Sequence, residues 1–254
     1  ILSPKILSQY WHAKAAARKG AFTRMRIYGN LGTKEGRQKG GLASLATHRI
    51  RKTGFKLRKH ISIPPPCKNL AEFMGILIGD GHLSPYQISI TTNSQTDTPH
   101  ALFIKNLIEK LFGISAHVKN IKGENAISIV ASSKNLVEFL SSNGMPIGNK
   151  IKIGLRIPKW IMTNPQWKKA FIRGLFDTDG CIYLDIHEKK TKTYAYMGWT
   201  ITSYADTLIK DLKDTLESLG FSPTWRISQK SIFMRKRHEI IRYFAEIGTH
   251  NQKH

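Results

Sequence analysis

The stretch Glu72-Phe-Met-Gly-Ile-Leu-Ile-Gly-Asp-Gly81 decides the fold, because it returns in altered form as Phe171-Ile-Arg-Gly-Leu-Phe-Asp-Thr-Asp-Gly180. Both copies are apolar runs that end in Asp-Gly, and each carries two small residues four positions apart. Residues at that spacing share one face of a helix, and small side chains there let two helix backbones approach closely. The copies are therefore predicted to be two packed helices, with Asp80 and Asp179 side by side at one end.

The sequence around the two motifs repeats as well. Hydrophobic periodicity predicts a helix, two strands, a helix, two strands and a helix in each half. The glycines that end the later helices, Gly113 with Gly220 and Gly144 with Gly248, recur at nearly the same separation as the two motif aspartates. A near-constant offset indicates a duplicated unit whose halves are related by a pseudo-twofold axis.

Local signals predict where the two motif helices begin. Asn69 is a good N-cap, and Glu72 three residues later completes a pattern that resembles a capping box. Asn164 is the predicted N-cap of the second helix, with Pro165 at the favoured first helical position.

The 254-residue chain has a net charge of +23 and is 41% hydrophobic, enough for a packed core. A charge this large indicates an anionic partner, with nucleic acid as the leading one and an anionic membrane surface as the weaker alternative. The sequence shows no apolar run of about 18 residues and no signal peptide after Ile1. Cys67 and Cys181 lack metal-type spacing, so we expect reduced thiols and an intracellular location, in the cytoplasm, a nucleoid or an organelle matrix.

Basic residues are concentrated in residues 1–68, which hold 16 of the 40 Lys and Arg residues and one of the 17 acids. Short helices are predicted at 9–19 and 42–52 on either side of a basic loop, Gly36-Arg-Gln-Lys-Gly-Gly-Leu42. Arg37 and Lys39 in this loop are expected to contact phosphates. The alternative is a solvated basic linker.

Pro64-Pro-Pro66 predicts a stiff extended boundary after the basic segment. We therefore expect a basic N-terminal extension at 1–68, a first half-domain at 69–160 and a second half-domain at 161–254.

The two motif aspartates point to metal chemistry. A single Asp-Gly can simply end a helix, with glycine in the left-handed conformation. A carboxylate is nevertheless unfavourable at the negative end of the helix dipole, and two adjacent carboxylates repel each other. A divalent cation relieves both penalties and would also bind the carbonyls of Gly79 and Thr178, a ligand set that suits Mg²⁺. Acids that share metals against a phosphodiester perform metal-assisted hydrolysis, so Asp80 and Asp179 are predicted to be catalytic.

Over residues 69–254 the chain resembles the LAGLIDADG homing endonucleases in their single-chain, two-motif form. Both copies keep the glycine and the penultimate acid of that motif, while its earlier acid is Ile78 in the first copy and Asp177 in the second. That position is not a metal ligand in the family, so Asp177 is expected to be structural. The resemblance implies an α+β fold, in which motif helices join two pseudo-symmetric αββαββα half-domains with saddle-shaped antiparallel DNA-binding sheets.

The family pattern also brings one lysine from each half towards the active site, and Lys150 and Lys253 match these positions. Such a lysine polarises the phosphate or positions the attacking water. The alternative for each is an ordinary exposed lysine.

The resemblance implies that outward polar side chains of the strands contact the DNA major groove, where base edges are distinguishable. Because the halves differ in these residues, the expected partner is a long, partly palindromic double-stranded DNA target. The first-half candidates are Ser84, Tyr86, Gln87, Ser89, Thr91, Asn93, His117, Lys119, Lys122 and Asn125. The second-half candidates are Tyr183, Asp185, His187, Lys192, Tyr194, Tyr196, Thr200, Arg226, Ser228, Lys230 and Arg235.

The resulting hypothesis is a monomeric, sequence-specific DNA endonuclease that uses Mg²⁺, leaves 3′ overhangs and promotes intron homing. The alternatives of the same fold are an intron RNA maturase and a DNA-binding regulator without cleavage, and the presence of both acids favours cleavage. A nuclease embedded in a self-splicing protein is disfavoured, because neither Ile1 nor Lys253-His254 supplies splicing residues. A membrane-surface protein would leave the duplicated motif unexplained.

Overall fold

The computed structural model describes residues 11–29, 32–51, 53, 58–189, 192–226, 228 and 230–254. The chain divides into two units, Ile1–Leu57 and Arg58–His254. The boundary therefore falls about ten residues before the expected one at residue 68. The reason is that Ile61 is buried in the core of the second unit, and the Ser62 amide donates to the Phe112 carbonyl at 2.9 Å.

The first unit contains two helices, α1 (Trp11–Tyr28) and α2 (Lys34–Arg51). Both are longer than predicted, and the expected loop at residues 36–42 is wrong because this segment lies within α2. The Thr33 hydroxyl accepts a hydrogen bond from the Gly36 amide at 3.0 Å and so caps the helix. An N-cap of this kind stabilises a helix by about 1 kcal/mol, which offsets the similar penalty of one internal glycine.

The side chains of α1 and α2 are almost all exposed where the structure describes them. Lys52, the last residue of the predicted second helix, lies outside the described residues. In the described part of the chain, no helix is both long enough and apolar enough to cross a membrane.

The second unit contains the duplicated αββαββα arrangement, which confirms the expected α+β fold. The first half consists of α3 (Lys68–Gly79), β1 (Gly81–Ser84), β2 (Gln87–Asn93), α4 (Thr98–Phe112), β3 (His117–Asn120), β4 (Ala126–Ser132) and α5 (Lys134–Ser142). A short helix, α6 (Lys150–Ile153), and a 3₁₀ turn at Ile161–Thr163 precede the second half. That half consists of α7 (Pro165–Asp179), β5 (Gly180–Lys189), β6 (Lys192–Thr202), α8 (Asp206–Ser218), β7 (Thr224–Arg226), β8 (Ser231–Met234) and α9 (Arg237–Glu246).

The two sheets are antiparallel and have the same topology. Their strand orders are β1-β2-β4-β3 and β5-β6-β8-β7. The predicted helix-ending glycines all have left-handed backbone angles, with φ of 64° at Gly113, 103° at Gly144, 80° at Gly220 and 74° at Gly248. These matched stops support the duplication inferred from their spacing.

The motif helices α3 and α7 pack directly on each other through their small residues. A Cβ atom added to Gly75 would overlap the Phe171 carbonyl, and one added to Gly174 would overlap the Glu72 carbonyl. Each glycine thus faces the backbone of the other helix. The predicted close approach of the two helices is confirmed.

The starts of the two motif helices differ from each other. The Asn164 side chain accepts a hydrogen bond from the Gln166 amide at 2.8 Å, as expected of an N-cap. The capping box predicted for α3 is wrong, because Cys67 is the N-cap residue and makes no side-chain cap hydrogen bond. Glu72 is buried and uses its carboxylate in contacts with distant residues.

The backbone contact between α3 and α7 predicts a large penalty for a single added methyl group. We expect Gly75→Ala or Gly174→Ala to lower the free energy of unfolding by about 3 kcal/mol, the upper range for overpacking, because a backbone carbonyl is the opposing atom. Chemical denaturation measures this change. Gly20→Ala is the matched control, since an added Cβ meets nothing within 4 Å at that helical glycine. Equal stability of Gly75→Ala and the parent protein would contradict the packing.

Candidate active site

The two motif aspartates lie at neighbouring helix ends. Asp80 is the C-cap residue of α3, and Asp179 is the last residue of α7. A Cβ atom added to Gly79 would lie 3.4 Å from the Asp179 carboxyl carbon, so the C-terminal end of α3 packs next to the Asp179 carboxylate. The structure therefore brings the two predicted acids together, both of them half-buried.

Burial raises the pKa of both carboxyl groups. The pKa of Asp179 rises from 3.8 to about 7, first because of burial and second because of the charge of Asp80. Burial also raises the pKa of Asp80, while the charges of Lys253 and Lys150 oppose the shift. Two adjacent carboxylates at the negative ends of two helices are poorly tolerated without a cation, and carboxylate oxygens are the ligands that a hard divalent ion prefers. These residues therefore fit the predicted metal.

Lys150 reaches the end of α3 from the first turn of α6. Its ammonium donates to the carbonyls of Ile78 at 2.7 Å and Gly81 at 2.9 Å, and to the carbonyl of Gly79. Burial lowers the pKa of this ammonium, and the Asp179 and Asp80 charges oppose that shift. The Gly79 carbonyl, predicted as a metal ligand, is thus a hydrogen-bond acceptor of Lys150 here.

A cavity of about 210 Å³ opens beside Lys150. Besides Lys150, its lining includes Gly79, Asp179, Ser203 and Ala205. The backbone segment that follows β6 of the second half-domain therefore borders the same cavity as Lys150 from the first half. A residue of each half thus contributes to the surroundings of Asp179.

Lys253 lies near the same acids but has a different partner. Its ammonium is 3.5 Å from the Asp97 carboxylate, and its charge opposes the rise in the pKa of both Asp80 and Asp179. The sequence analysis did not predict Asp97 as a site residue, and an acid directly before a helix is by itself typical of an N-cap. Asp97 is indeed the N-cap residue of α4, but its side chain makes no cap hydrogen bond.

Hydrogen bonds hold the Asp97 carboxylate in place. It is buried and accepts hydrogen bonds from the hydroxyls of Thr92 and of Thr96, the latter at 2.9 Å. Burial alone would raise the pKa of Asp97, but these donors and the charge of Lys253 lower it. Asp97 is therefore a fixed negative charge beside Lys253.

A partly buried ion-pair network, which the sequence analysis missed, joins α3, α7 and the C-terminal segment. Arg173 donates two hydrogen bonds to Glu72, at 3.0 and 2.5 Å, and a third to the Ile247 carbonyl at 3.0 Å. The His250 Nδ1 lies 2.5 Å from Glu72. Burial opposes ionisation of Glu72, but the hydrogen bonds from His250 and Arg173 lower its pKa. The available signal was that Glu72 and Arg173, which bear opposite charges, each stand within an apolar stretch of a motif helix.

Asp177 belongs to the same network, in line with the structural role expected for it. Its carboxylate accepts hydrogen bonds from the Thr249 hydroxyl at 2.5 Å and from the His250 amide at 2.9 Å, and burial raises its pKa to about 6. The Asn251 side chain donates to the Asp177 carbonyl at 3.0 Å. These contacts fix the segment that carries Lys253.

Glu72, Asp177 and His250 bring their ligand atoms close enough together to suggest a metal site. Arg173, however, binds both oxygens of Glu72 and supplies the positive charge in this cluster. His100 lies 3.8 Å from Asp177, and burial lowers the pKa of its ring to about 4, so it is neutral at pH 7. The cluster is therefore an ion-pair network that anchors the C-terminal segment.

The predicted DNA-contacting residues of the first half lie on or beside the uncovered face of its sheet. On β2 the exposed and half-buried Gln87, Ser89, Thr91 and Asn93 alternate with buried residues. The pairing of Ser89 with His82 and of Thr91 with Ser128 places two further polar side chains on this face, which the sequence analysis missed. The remaining candidates are half-buried or exposed as well: Ser84, Tyr86, His117, Lys119, Lys122 and Asn125.

The second sheet also has a polar face, where several candidates contact each other. Asp185 lies 3.1 Å from His187 and 3.6 Å from Arg235, and the Tyr194 and Tyr196 rings stack at 6.5 Å. The Lys192 side chain lies outside the described residues. Other candidates pair with neighbours on or beside the sheet: the Tyr183 ring covers Gly198, Thr200 donates to the Ile232 carbonyl, Arg226 lies over Phe233, and Lys230 lies over Tyr204.

Three further candidates are exposed: Ser228 near β7, and Arg37 and Lys39 on α2. The Arg37 guanidinium donates to the Gly32 carbonyl at 2.6 Å near the start of that helix. Contact of all these residues with DNA stays a prediction.

Comparison with family models gives a match in the second half of the chain. Residues 166–248 match the family model described as a LAGLIDADG-like domain. The chain therefore contains a LAGLIDADG-like domain, and the family resemblance drawn from the two motifs is confirmed. The match begins within α7 and ends two residues after α9, so it covers the second half-domain.

A solved structure of I-SmaMI shares the fold. I-SmaMI, described as bound to an uncleaved DNA target in the presence of calcium ions, is 10% identical with a TM-score of 0.52, over 74% of this chain and 87% of that chain. Mesophilic variants of the homing endonuclease I-DmoI are 19% identical with a TM-score of 0.48, over 71% of this chain and 95% of that chain. The likeness to I-SmaMI concerns the fold alone.

Curated relatives are much longer proteins. A subunit of the A-type ATP synthase of Pyrococcus abyssi is 35% identical over 127 residues, which are 49% of this chain and 12% of that protein. The tRNA-splicing ligase RtcB of Pyrococcus furiosus is 30% identical over 194 residues, 67% of this chain and 20% of that protein. The chain thus spans a fifth or less of each.

The raised pKa of Asp179 predicts that this carboxylate destabilises the metal-free fold at high pH. Its pKa is about 7 in the fold and 3.8 ordinarily, so stability is lost as the pH rises between these values. In EDTA, Asp179→Asn should therefore raise the Tm at about pH 8 and change it little at about pH 4. Asp214→Asn, at an exposed acid of α8, is the control and should show no such pH dependence. A lower Tm of Asp179→Asn at high pH would contradict the electrostatic account.

Proposed function

We propose that this protein is a site-specific DNA endonuclease that uses a divalent cation. The observation that carries the proposal is the pair of half-buried carboxylates, Asp80 and Asp179, at the ends of two glycine-packed helices. Two lysines flank this pair, and an open polar sheet face lies in each half-domain. The net charge of +23 favours a polyanionic partner. I-SmaMI, which has the same fold, is described as bound to a DNA target with calcium ions.

Asp80 and Asp179 would hold the cation with their carboxylates. When bound, a divalent cation polarises a phosphate and lowers the pKa of water. The ammonium groups of Lys150 and Lys253 stabilise the negative charge that develops on the phosphate as water attacks. In each cut a water oxygen bonds to phosphorus, the bond to one sugar oxygen breaks, and that oxygen takes up a proton.

The presence of two half-domains in one chain leads to more specific proposals about the DNA target and the cut. Each polar sheet face is proposed to contact one half of a long, partly palindromic DNA target, and one monomer cuts both strands. We propose Mg²⁺ as the cation, a staggered break with 3′ overhangs, and an intracellular role in moving the encoding DNA. Positively charged side chains position the sheets on phosphates, and polar side chains read base edges.

A second candidate concerns where such a nuclease resides. A tRNA-splicing ligase and an ATP synthase subunit have unrelated functions. Each of these two proteins nevertheless matches this chain over a fifth or less of its own length. That pattern favours a mobile module carried within larger proteins, an alternative that the residues at Ile1 and Lys253-His254 had disfavoured. In this case cleavage would serve the spread of the module, and the host's own activity would be independent of it.

Cleavage is tested by a screen on randomised duplex DNA with Mg²⁺, followed by assays on the selected sequence. We expect the parent protein to cut it, and Asp80→Asn or Asp179→Asn to lower the cutting rate by at least about 100-fold, the scale of losing one preorganised charge. DNA affinity measured in Ca²⁺ should be retained. Asp214→Asn, far in sequence from both motifs, is the matched carboxylate control.

The outcomes of this screen separate the alternatives. Binding of duplex DNA without cutting by the parent protein would favour a DNA-binding regulator. Tighter binding to structured RNA than to DNA would favour an intron maturase. Equal cutting by Asp80→Asn and the parent would contradict the proposed role of the motif acids.

The basic helix α1 predicts a salt-dependent contribution to DNA binding. Replacing Arg18, Lys19, Arg24 and Arg26 with glutamine should reduce the slope of log affinity against log salt by up to about 0.9 for each phosphate that the helix no longer neutralises. Fluorescence anisotropy at several salt concentrations measures the slope. The matched control replaces Lys105, Lys134, Lys210 and Lys213, which lie on α4, α5 and α8. An unchanged slope in the α1 variant would exclude phosphate contacts by this helix.

A further inference from the structure

The two lysines of the site occupy related positions but unequal surroundings. Asp97 is the N-cap residue of α4 in the first half, and Ala205 is the N-cap residue of α8 in the second. The duplication thus makes Asp97 and Ala205 counterparts. Lys253 faces Asp97, whereas Lys150 lines a cavity together with Ala205. One lysine therefore has a carboxylate at the position where the other has a methyl group.

The ion pair between Lys253 and Asp97 is partly buried and held in place by neighbouring contacts. The Asp97 side chain is 4% exposed and the Lys253 side chain 27%, so salt screens this pair less than a surface pair. Hydrogen bonds from Thr92 and Thr96 hold the carboxylate in position. The network around Asp177 holds the segment that carries Lys253.

Lys150 interacts with neutral groups at close range. Its ammonium donates to the main-chain carbonyls of Ile78, Gly79 and Gly81, and among the described residues no carboxylate lies within ion-pair distance of it, although the charges of Asp179 and Asp80 act on it from farther away. Asp97, by contrast, cancels much of the charge that Lys253 presents to its surroundings. The same carboxylate also raises the pKa of Asp80, after burial as the main cause, so its negative charge acts on the first half of the site.

We propose that Asp97 is a positioning residue that holds and partly neutralises Lys253, so that the two DNA strands are cut at unequal rates. The inference rests on the proposed endonuclease function. A lysine paired with a carboxylate stabilises the developing phosphate charge less than one whose hydrogen-bond acceptors are neutral carbonyls. The strand served by Lys253 is therefore cut second, and a nicked duplex is an intermediate of the reaction.

Strand-specific kinetics test this inference on the full chain. The selected duplex carries a different fluorophore at the 5′ end of each strand, and single-turnover cutting of the two strands is followed with Mg²⁺. We expect the parent to cut one strand about tenfold faster than the other, a difference in barrier of about 1.4 kcal/mol. Asp97→Asn removes the charge and keeps one oxygen that accepts from one threonine, while the new amide nitrogen donates to the hydroxyl of the other. It should accelerate the slower strand about tenfold and leave the faster strand unchanged.

A second variant moves the charge to the other half. Ala205→Asp places a carboxylate beside Lys150 and should slow the strand that the parent cuts faster. Ala205→Asn has the same size without the charge and should keep the parent's order of cutting. Asp97→Glu should keep the slower strand slow, because the negative charge remains. If Asp97→Asn does not fold, the Ala205 pair still decides the question.

The outcomes distinguish failure of the inference about Asp97 from failure of the proposed endonuclease function. Equal cutting rates of the two strands by the parent would overturn the inference and leave the endonuclease function intact. Asp97→Asn changing both strands alike, or Ala205→Asp acting like Ala205→Asn, would also overturn it and would assign Asp97 a purely structural role. Absence of any cutting by the parent on all sequences would overturn both the proposed function and the inference.

Discussion

The contact between the backbones of α3 and α7 is the constraint on which the rest of the structure depends. Gly75 and Gly174 each face a carbonyl of the opposite helix, so no larger side chain fits at either position. This contact forms the centre of the core, joins the two half-domains and sets the separation of Asp80 and Asp179. Stability and the geometry of the site therefore rest on the same two residues, and a change that loosens the core also displaces the carboxylates.

The two carboxylates of the site lower the stability of the metal-free fold. Two carboxylates are held half-buried at the negative ends of two helices, and burial raises the pKa of both. Nearby ammonium groups offset part of this cost, with Lys150 placed on the carbonyls at the end of α3. Groups held in unfavourable electrostatic surroundings by a rigid frame are common in catalytic sites. Here the frame is the glycine contact, which is strong enough to keep the acids together.

Two partly buried networks with different roles surround this pair of acids. The first, with Glu72, Arg173 and Asp177, fastens the C-terminal segment to both motif helices and so fixes the location of Lys253. The second, around Asp97, places a negative charge beside that lysine. The half-domains share a topology, but within the described residues these networks have no equal counterpart on the Lys150 side. A duplicated fold has thus acquired two chemically different halves.

The sequence by itself determined the parts that local pattern encodes. Repeated motifs, helical periodicity and matched glycines predicted the duplicated αββαββα architecture, the helix pair and the meeting of Asp80 with Asp179. The roles of Glu72 and Asp97 were decided only by the tertiary structure. Glu72 was predicted to be part of a helix cap and Asp97 precedes a helix, yet Glu72 binds groups 101 and 178 residues away, and Asp97 pairs with Lys253. A carboxylate near a helix start has the same local signature whether it caps the helix or pairs across the fold, because its partner is chosen by packing.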